Sequence, residues 1–186
     1  MTFSATFCTT FPWSGPYTVN LLPTLHAERL TLRPLADDDV ETLAGYLTQP
    51  SVREWWGTDD APHGSLRHDG TAFAIEVGGE TAGWLAVNEE TEPGYRHAAL
   101  DIILGQAFQD RGLGSEALRT AIRWLIEERG HHRITIDPAH ENERAIRAYE
   151  AVGFRPVGIL RKYERGPDGR WRDGLLMDLL AEEFAG

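Results

Sequence analysis

The chain has 186 residues, of which 41% are hydrophobic and 25% charged, with a formal net charge of −11. That length suits one domain and buries a sizeable core without disulfides or a structural metal; the single cysteine, Cys8, excludes an intramolecular disulfide and fits a reducing, cytoplasmic compartment. The acidic excess argues against nucleic acid or an anionic membrane as partner, and fits either plain solubility or the attraction of a small cation.

Residues 1–23 combine Phe3, Phe7, Phe11, Trp13 and Tyr17 with Pro12, Pro16 and Pro23, at spacings that suit neither a helix nor a strand. They read as an N-terminal extension to a single domain over residues 24–186, packed on that domain or on a second subunit of a homodimer. The segment lacks a basic start and a continuous apolar stretch, so no signal peptide is expected, and no apolar run is long enough to span a bilayer.

Residues 25–35 alternate, with Leu30 and Leu32 opposite Thr31 and Arg33, and predict a strand that Pro34 ends. Asp37 and Asp38 offer an N-cap for a helix carrying Val40, Leu43, Ala44 and Leu47; after Pro50, Ser51 starts a short second helix through Val52 and Trp55. Residues 71–77 and 81–88 are strands joined by the turn signal Gly78-Gly79. Glu89, Glu90 and Glu92 form an acidic turn, and residues 97–104 a third strand with Ala98, Leu100, Ile102 and Leu104 on one face and Ala99, Asp101 and Ile103 on the other. Residues 112–129 carry the clearest helical stripe, closed by Gly130; residues 133–137 are a short strand, residues 142–152 a helix closed by Gly153, and residues 154–163 and 171–180 two last strands. The order β α α β β β α β α β β requires a mixed α/β sheet with both parallel and antiparallel pairs.

Between a strand and the strongest helix lies Gln109-Asp110-Arg111-Gly112-Leu113-Gly114-Ser115. Glycines at a helix start let a phosphate approach free backbone N–H groups and the positive end of the helix dipole. The segment has neither the Lys-Ser/Thr pair of a P-loop nor the glycine interval of the dinucleotide fingerprint. On a later helix, Asn142, Ala145, Tyr149 and Gly153 stand three, four and four apart and share one face. His131-His132 and His63-x-x-x-x-His68 have no second cysteine and no suitably spaced carboxylates; they read as solvated loop histidines, and no metal is expected.

Together, Gln109-x-x-Gly112-x-Gly114 and Asn142-x-x-Ala145-x-x-x-Tyr149-x-x-x-Gly153-Phe154 resemble the two motifs of the GCN5-related N-acetyltransferase (GNAT) superfamily, and the element order matches over residues 25–180. The resemblance implies a mostly antiparallel twisted sheet, flanked by helices, with a splayed central parallel pair. It implies acetyl-CoA as acyl donor, its pyrophosphate held by backbone amides of Arg111, Gly112, Leu113, Gly114 and Ser115 with Gln109 beside them, and its arm lying along Ile102, Ile103, Leu104, Asn142 and Ala145. Tyr149 would then lie near the sulfur and protonate the leaving thiolate. Val52-Arg53-Glu54-Trp55-Trp56-Gly57, Glu89-Glu90-Thr91-Glu92-Pro93-Gly94 and Thr135-Ile136-Asp137-Pro138 look like stretches of aminoglycoside 6′-N-acetyltransferases. That likeness implies an aminoglycoside acceptor, a role in antibiotic resistance, and substrate contacts from Glu92, Asp101 and Asp137, with Asp101 as base; position 92 departs by carrying Glu where Asp is expected. Asp173 is taken as a further ligand, with Asp168 as its alternative on the longer last hairpin.

The residues fit that chemistry. An amine must lose a proton before it attacks, and a carboxylate both binds the ammonium and accepts the proton. A backbone N–H near Ile102–Leu104 would face the thioester oxygen. One of Trp55 and Trp56 would pack in the core and the other wall the acceptor cleft. Competing acceptors are a protein N-terminus, a polyamine and a siderophore precursor; the run Glu28-Arg29-Leu30-Thr31-Leu32-Arg33-Pro34 is shared with N-terminal acetyltransferases of ribosomal proteins. A non-catalytic binding module is the alternative of a different class.

Overall fold

Strand alternation and helical spacing sort the apolar residues onto two faces of one eight-stranded sheet. The computed structural model describes residues 22–56, Leu66 and residues 71–186; Cys8, the aromatic N-terminal run, Gly57, His63 and His68 lie outside the described residues. The elements are β1 (Leu25–His26), β2 (Thr31–Pro34), α1 (Asp39–Leu47), α2 (Pro50–Arg53), β3 (Thr71–Val77), β4 (Glu80–Glu90), β5 (His97–Leu104), α3 (Leu113–Glu127), β6 (Arg133–Ile136), α4 (Glu143–Val152), β7 (Arg155–Arg165) and β8 (Trp171–Leu180). Spatial order is β1-β2-β3-β4-β5-β6-β8-β7, and every pairing is antiparallel except β5 with β6. On β4, Leu85 and Val87 join Leu118, Ile122 and Leu125 of α3 in one core, while Trp84 and Ala86 join Leu43, Val52 and Leu66 in the other.

The parallel pair opens almost as soon as it forms. β5 pairs with β4 from His97 to Leu104 but with β6 only at Ala98↔Ile134 and Ala99↔Thr135. The Gly105 N–H donates to the Ala82 carbonyl at 2.9 Å, so alternation turns the backbone groups of odd-numbered β5 residues toward β4 and those of even-numbered ones toward β6. Past Ala99, the N–H groups of Ile102 and Leu104 therefore point into a gap that no strand fills.

Three expectations change. Residues 25–35 form a two-strand hairpin, β1 on β2, because Glu28-Arg29 turn the chain. Asp38 stands at the N-cap of α1 without a side-chain cap bond; Asp39 instead accepts the Ala36 N–H. Glu89 and His131 are not free in solvent: His131 is buried and Glu89 half-buried, with His131 Nε2 2.6 Å from a Glu89 oxygen and Arg129 bonded to the same carboxylate.

Asp39 ties β2 and β4 to α1. Arg33 forks onto both its oxygens at 2.7 Å, and Thr81 Oγ1 donates at 2.6 Å. The Arg33 guanidinium outweighs burial and holds the Asp39 carboxyl at about 2. With the folded value below the unfolded one, this contribution is complete above about pH 4 and is lost as pH falls toward 2, a loss of about 2 kcal/mol. Thermal melts of the wild type from pH 5 to 2 will show that decline, and in Asp39→Asn it will be absent from that window.

Candidate active site

A cleft runs along the β5–β6 gap, and the chain shapes its mouth at the start of α3. Asp110 and Gly112 take left-handed backbone, φ 57° and 75°, a conformation that suits glycine and aspartate best. The first helical bond of α3 runs from the Glu116 N–H to the Gly112 carbonyl, and Gly112 supplies no side-chain cap. The N–H groups of Leu113, Gly114 and Ser115 therefore point outward without helical acceptors, as an anion requires. Gly112, Gly114 and Ser115 line the cleft with Ile102, Ile103, Leu104 and Gln109. The Leu113 side chain is core, 2% exposed, Arg111 is exposed, and neither is among the residues lining the cleft.

Two supports of the loop escaped sequence reading. Arg29 gives its N–H and Nε to the Glu116 carboxylate at 2.7 and 2.6 Å and its Nη1 to the Arg111 carbonyl at 2.9 Å. Gln109 Nε2 donates to the Leu104 carbonyl while its Oε1 accepts from Arg144, both at 2.9 Å. The opposite wall is α2, drawn to the end of β5 by Gln49, whose Oε1 accepts the Gln106 N–H at 2.6 Å. On α2, Ser51 lines the cleft, and its hydroxyl oxygen is buried just beneath the surface without a hydrogen-bond partner among the described residues. Free N–H groups, a glycine floor and an orphaned hydroxyl fit an extended, phosphate-bearing molecule with amides along its length.

The N-cap and helix of α4 line the same cleft. Asn142 caps the helix, its Oδ1 accepting the Ala145 N–H at 3.1 Å, so it has a structural role besides lining the cleft. Ala145 and Tyr149 face the same space. The Tyr149 carbonyl accepts the N–H groups of Gly153 and Phe154 at 3.1 Å each, and its ring packs against Phe154, which pins the side chain. Burial, reinforced by the charges of Asp101 and Asp137, pushes the Tyr149 phenol well above its usual range, so it keeps its proton at neutral pH.

Beyond Tyr149 a second cleft shares Trp55, Trp56, Ile102, Asn142 and Tyr149 with the first and adds Asp101, Asp137 and Glu164. Asn88 Nδ2 lies 3.4 Å from Asp101 Oδ2. Burial raises the Asp137 carboxyl, opposed by a hydrogen bond from Tyr163. Glu164 accepts from Arg172 Nε at 2.9 Å, and Arg172 also holds the Glu54 and Trp55 carbonyls and stacks its guanidinium over Trp55. Trp56 meets Trp84 edge to face at 5.6 Å, so of the tandem pair one joins the core and both wall the clefts.

Glu92, Asp168 and Asp173 stand apart from this cleft. Glu92 is exposed, with its backbone bonded to the Glu90 side chain; Asp168 accepts the Arg170 N–H in the last turn; Asp173 accepts the Lys162 N–H at 2.7 Å. Glu164 was missed because it stands in the charged run Arg161-Lys162-Tyr163-Glu164-Arg165, which looks like a solvated strand face. Among the described residues there is no group of three His, Cys, Asp or Glu able to hold a metal, and no helix is long and apolar enough to cross a membrane.

Residues 29–155 match the model of a family described as the acetyltransferase (GNAT) domain. Over 166 residues the chain is 28% identical to the aminoglycoside N(6′)-acetyltransferase type 1 of Klebsiella pneumoniae, covering 76% of this chain and 80% of that one. It is 24% identical to the spermidine N(1)-acetyltransferase of Escherichia coli (strain K12), covering 88% and 91%. Among solved structures it superposes on Mycobacterium smegmatis RimJ in complex with CoA-disulfide with a TM-score of 0.78, at 24% identity and 88% and 90% coverage.

Proposed function

The chain belongs to the GNAT acetyltransferase family and is an acetyl-CoA-dependent N-acetyltransferase, and from that premise we propose that its acceptor is an aminoglycoside, acetylated on a primary amine at the 6′ position. The observation that carries the reading is the convergence of Asp101, Asp137 and Glu164 in the second cleft, which Trp55 and Trp56 also line. Several fixed carboxylates beside aromatic faces suit a rigid molecule with several ammonium groups and sugar rings. The likeness to an aminoglycoside N(6′)-acetyltransferase supports the same acceptor.

Acetyl-CoA supplies an acetyl thioester. The chain's residues do the rest: the N–H groups of Leu113, Gly114 and Ser115 hold the pyrophosphate, with Arg29 and Gln109 bracing the loop. Ser51, Asn142 and the gap-facing backbone of Ile102 and Leu104 hold the arm, and one of those N–H groups faces the thioester oxygen. Asp101 takes the proton that the attacking ammonium must lose, directly or through water. Tyr149, kept neutral by its surroundings, gives its proton to the departing thiolate. Asp137 orients the remaining ammonium groups, and Glu164, half-neutralised by Arg172, shapes the wall. In the cytoplasm such an activity inactivates the drug and confers resistance.

A polyamine is the second reading, favoured by the likeness to a spermidine N(1)-acetyltransferase and by the same acidic cleft. Thiol release from acetyl-CoA with kanamycin, tobramycin, amikacin, a 6′-hydroxyl aminoglycoside, spermidine and a ribosomal-protein N-terminal peptide decides between them. Turnover of the 6′-amino drugs and not the 6′-hydroxyl one is expected. Turnover of spermidine or the peptide alone would keep the family chemistry and replace the acceptor.

A further inference from the structure

The hairpin of β7 and β8 carries an irregularity that the acetyl transfer described so far does not use. Leu160 pairs with Gly174 and Glu164 with Arg172, so Arg161, Lys162 and Tyr163 are opposed by Asp173 alone. Lys162 sits at φ 50°; among the described residues the other non-glycine at positive φ is Asp110, in the anion loop. A lysine in that region costs energy and persists only where neighbours enforce it. Here the enforcer is Asp173, whose Oδ1 accepts the Lys162 N–H at 2.7 Å.

The bulge sets the Tyr163 ring against the backbone of Gly174. A Cβ there would stand 2.9 Å from the ring's Cδ1, so position 174 must be glycine for the ring to lie where it does. Gly174 in turn bridges Ala139, the Leu175 N–H donates to the Pro138 carbonyl at 2.8 Å, and the His140 N–H to the Asp173 carbonyl at 2.9 Å. One short stretch of β8 thus seats the tyrosine and grips the loop that begins at Asp137. The Tyr163 phenol, on a half-exposed side chain, and the Asp137 carboxylate are near enough to act on each other's titration.

We propose that Tyr163 is a positioning residue of the acceptor site, delivered by the three-residue bulge to hold the Asp137 carboxylate toward the cleft, and that Asp173 acts by clamping that bulge. The proposal rests on the acceptor reading above only for its kinetic consequence. It accounts for a strained lysine, a required glycine and a carboxylate spent on a backbone N–H, all on one hairpin. The charged and titratable groups around Asp137 are Asp101 of β5, Tyr149 of α4, and Tyr163 and Glu164 of β7, the last paired with Arg172 of β8. A hydrogen bond from Tyr163 favours the charged form of Asp137; without it, burial acts unopposed and the carboxyl holds its proton to higher pH.

The test compares wild type, Tyr163→Phe and Asp173→Ala. Phenylalanine keeps the ring against Gly174, so a thermal melt like the wild type's is expected. Carbon-13 NMR titration of the carboxyls, with Asp137→Asn for assignment, reads the local effect without any acceptor. The Asp137 midpoint is expected to rise in Tyr163→Phe and in Asp173→Ala, and no further in the double variant. With kanamycin near pH 6, KM for the drug rises roughly tenfold while KM for acetyl-CoA is unchanged. An Asp137 midpoint that stays in place in Tyr163→Phe overturns the proposal. If the wild type does not acetylate kanamycin, the acceptor reading falls and the titration still decides the role of Tyr163.

Discussion

Replacing Asp101 by asparagine is expected to lower kcat for an aminoglycoside by about two to four orders of magnitude, the range that a positioned general base contributes, while acetyl-CoA binds as tightly as before. Asp101 stands on β5 on the face opposite Leu100 and Ile102 and lines the second cleft. Asparagine keeps the size and the contact with Asn88 but cannot accept the ammonium proton. The pH profile separates loss of a base from loss of fit: an amine already neutral in solution needs no base, so the variant's rate should climb with pH toward the amine's own pKa. Initial rates by thiol release and calorimetric titration of acetyl-CoA make the comparison. Wild-type turnover in this variant would remove Asp101 from the proton path.

Gly114→Asp is expected to weaken acetyl-CoA binding by about a hundredfold or more, the loss of one or two charge-assisted hydrogen bonds. Gly114 is the second residue of α3, and a Cβ added there meets Leu104 Cδ1 at 3.4 Å and Ile102 Cδ1 at 4.0 Å. Alanine therefore fits with ordinary contacts and serves as the control, with a much smaller loss. The aspartate sets a negative charge among the N–H groups of the first turn, where it repels a pyrophosphate. A carboxylate at a helix N-terminus is favourable to the helix itself, so the melting temperature should hold or rise while affinity collapses. Equal affinity in Gly114→Asp and wild type would mean that the pyrophosphate lies elsewhere.

The sequence was most readable where structure is local. The alternation of β3 to β5, the stripe of α3 and the glycines that close helices are set by near neighbours, and the structure keeps those elements to within a residue or two. That the sheet is mixed follows from element order; that it is mostly antiparallel with one parallel pair was implied by the family resemblance, and the structure has both features. What stayed hidden depends on distant partners. Arg29 braces a loop more than eighty residues away. The bulge at Lys162 depends on Asp173 across the hairpin, and local sequence carries no sign of it. Glu164 and Glu89 were both hidden within charged runs, where composition suggests solvent; Arg172 and His131 pair with them and hold them half-buried. Glu92 and Asp173 entered the reading through family likeness, and neither is among the residues lining the cleft of Asp101 and Asp137.

The early parting of β5 and β6 has a consequence beyond the site. An exposed strand edge recruits other extended chains, and proteins ordinarily shield it. This sheet has, besides its outer edges at β1 and β7, an inner one at its centre, where Ile102 and Leu104 face the gap between helices α2 and α4. A pantetheine arm, with amide groups in series, is chemically close to a short peptide. In the proposed binding mode the enzyme takes its co-substrate much as a sheet takes one more strand, through main-chain atoms that every residue possesses. Recognition of that kind tolerates wide drift in the side chains along β5, so members of such a family could diverge far in sequence, and in the amines they accept, while drawing on the same acyl donor.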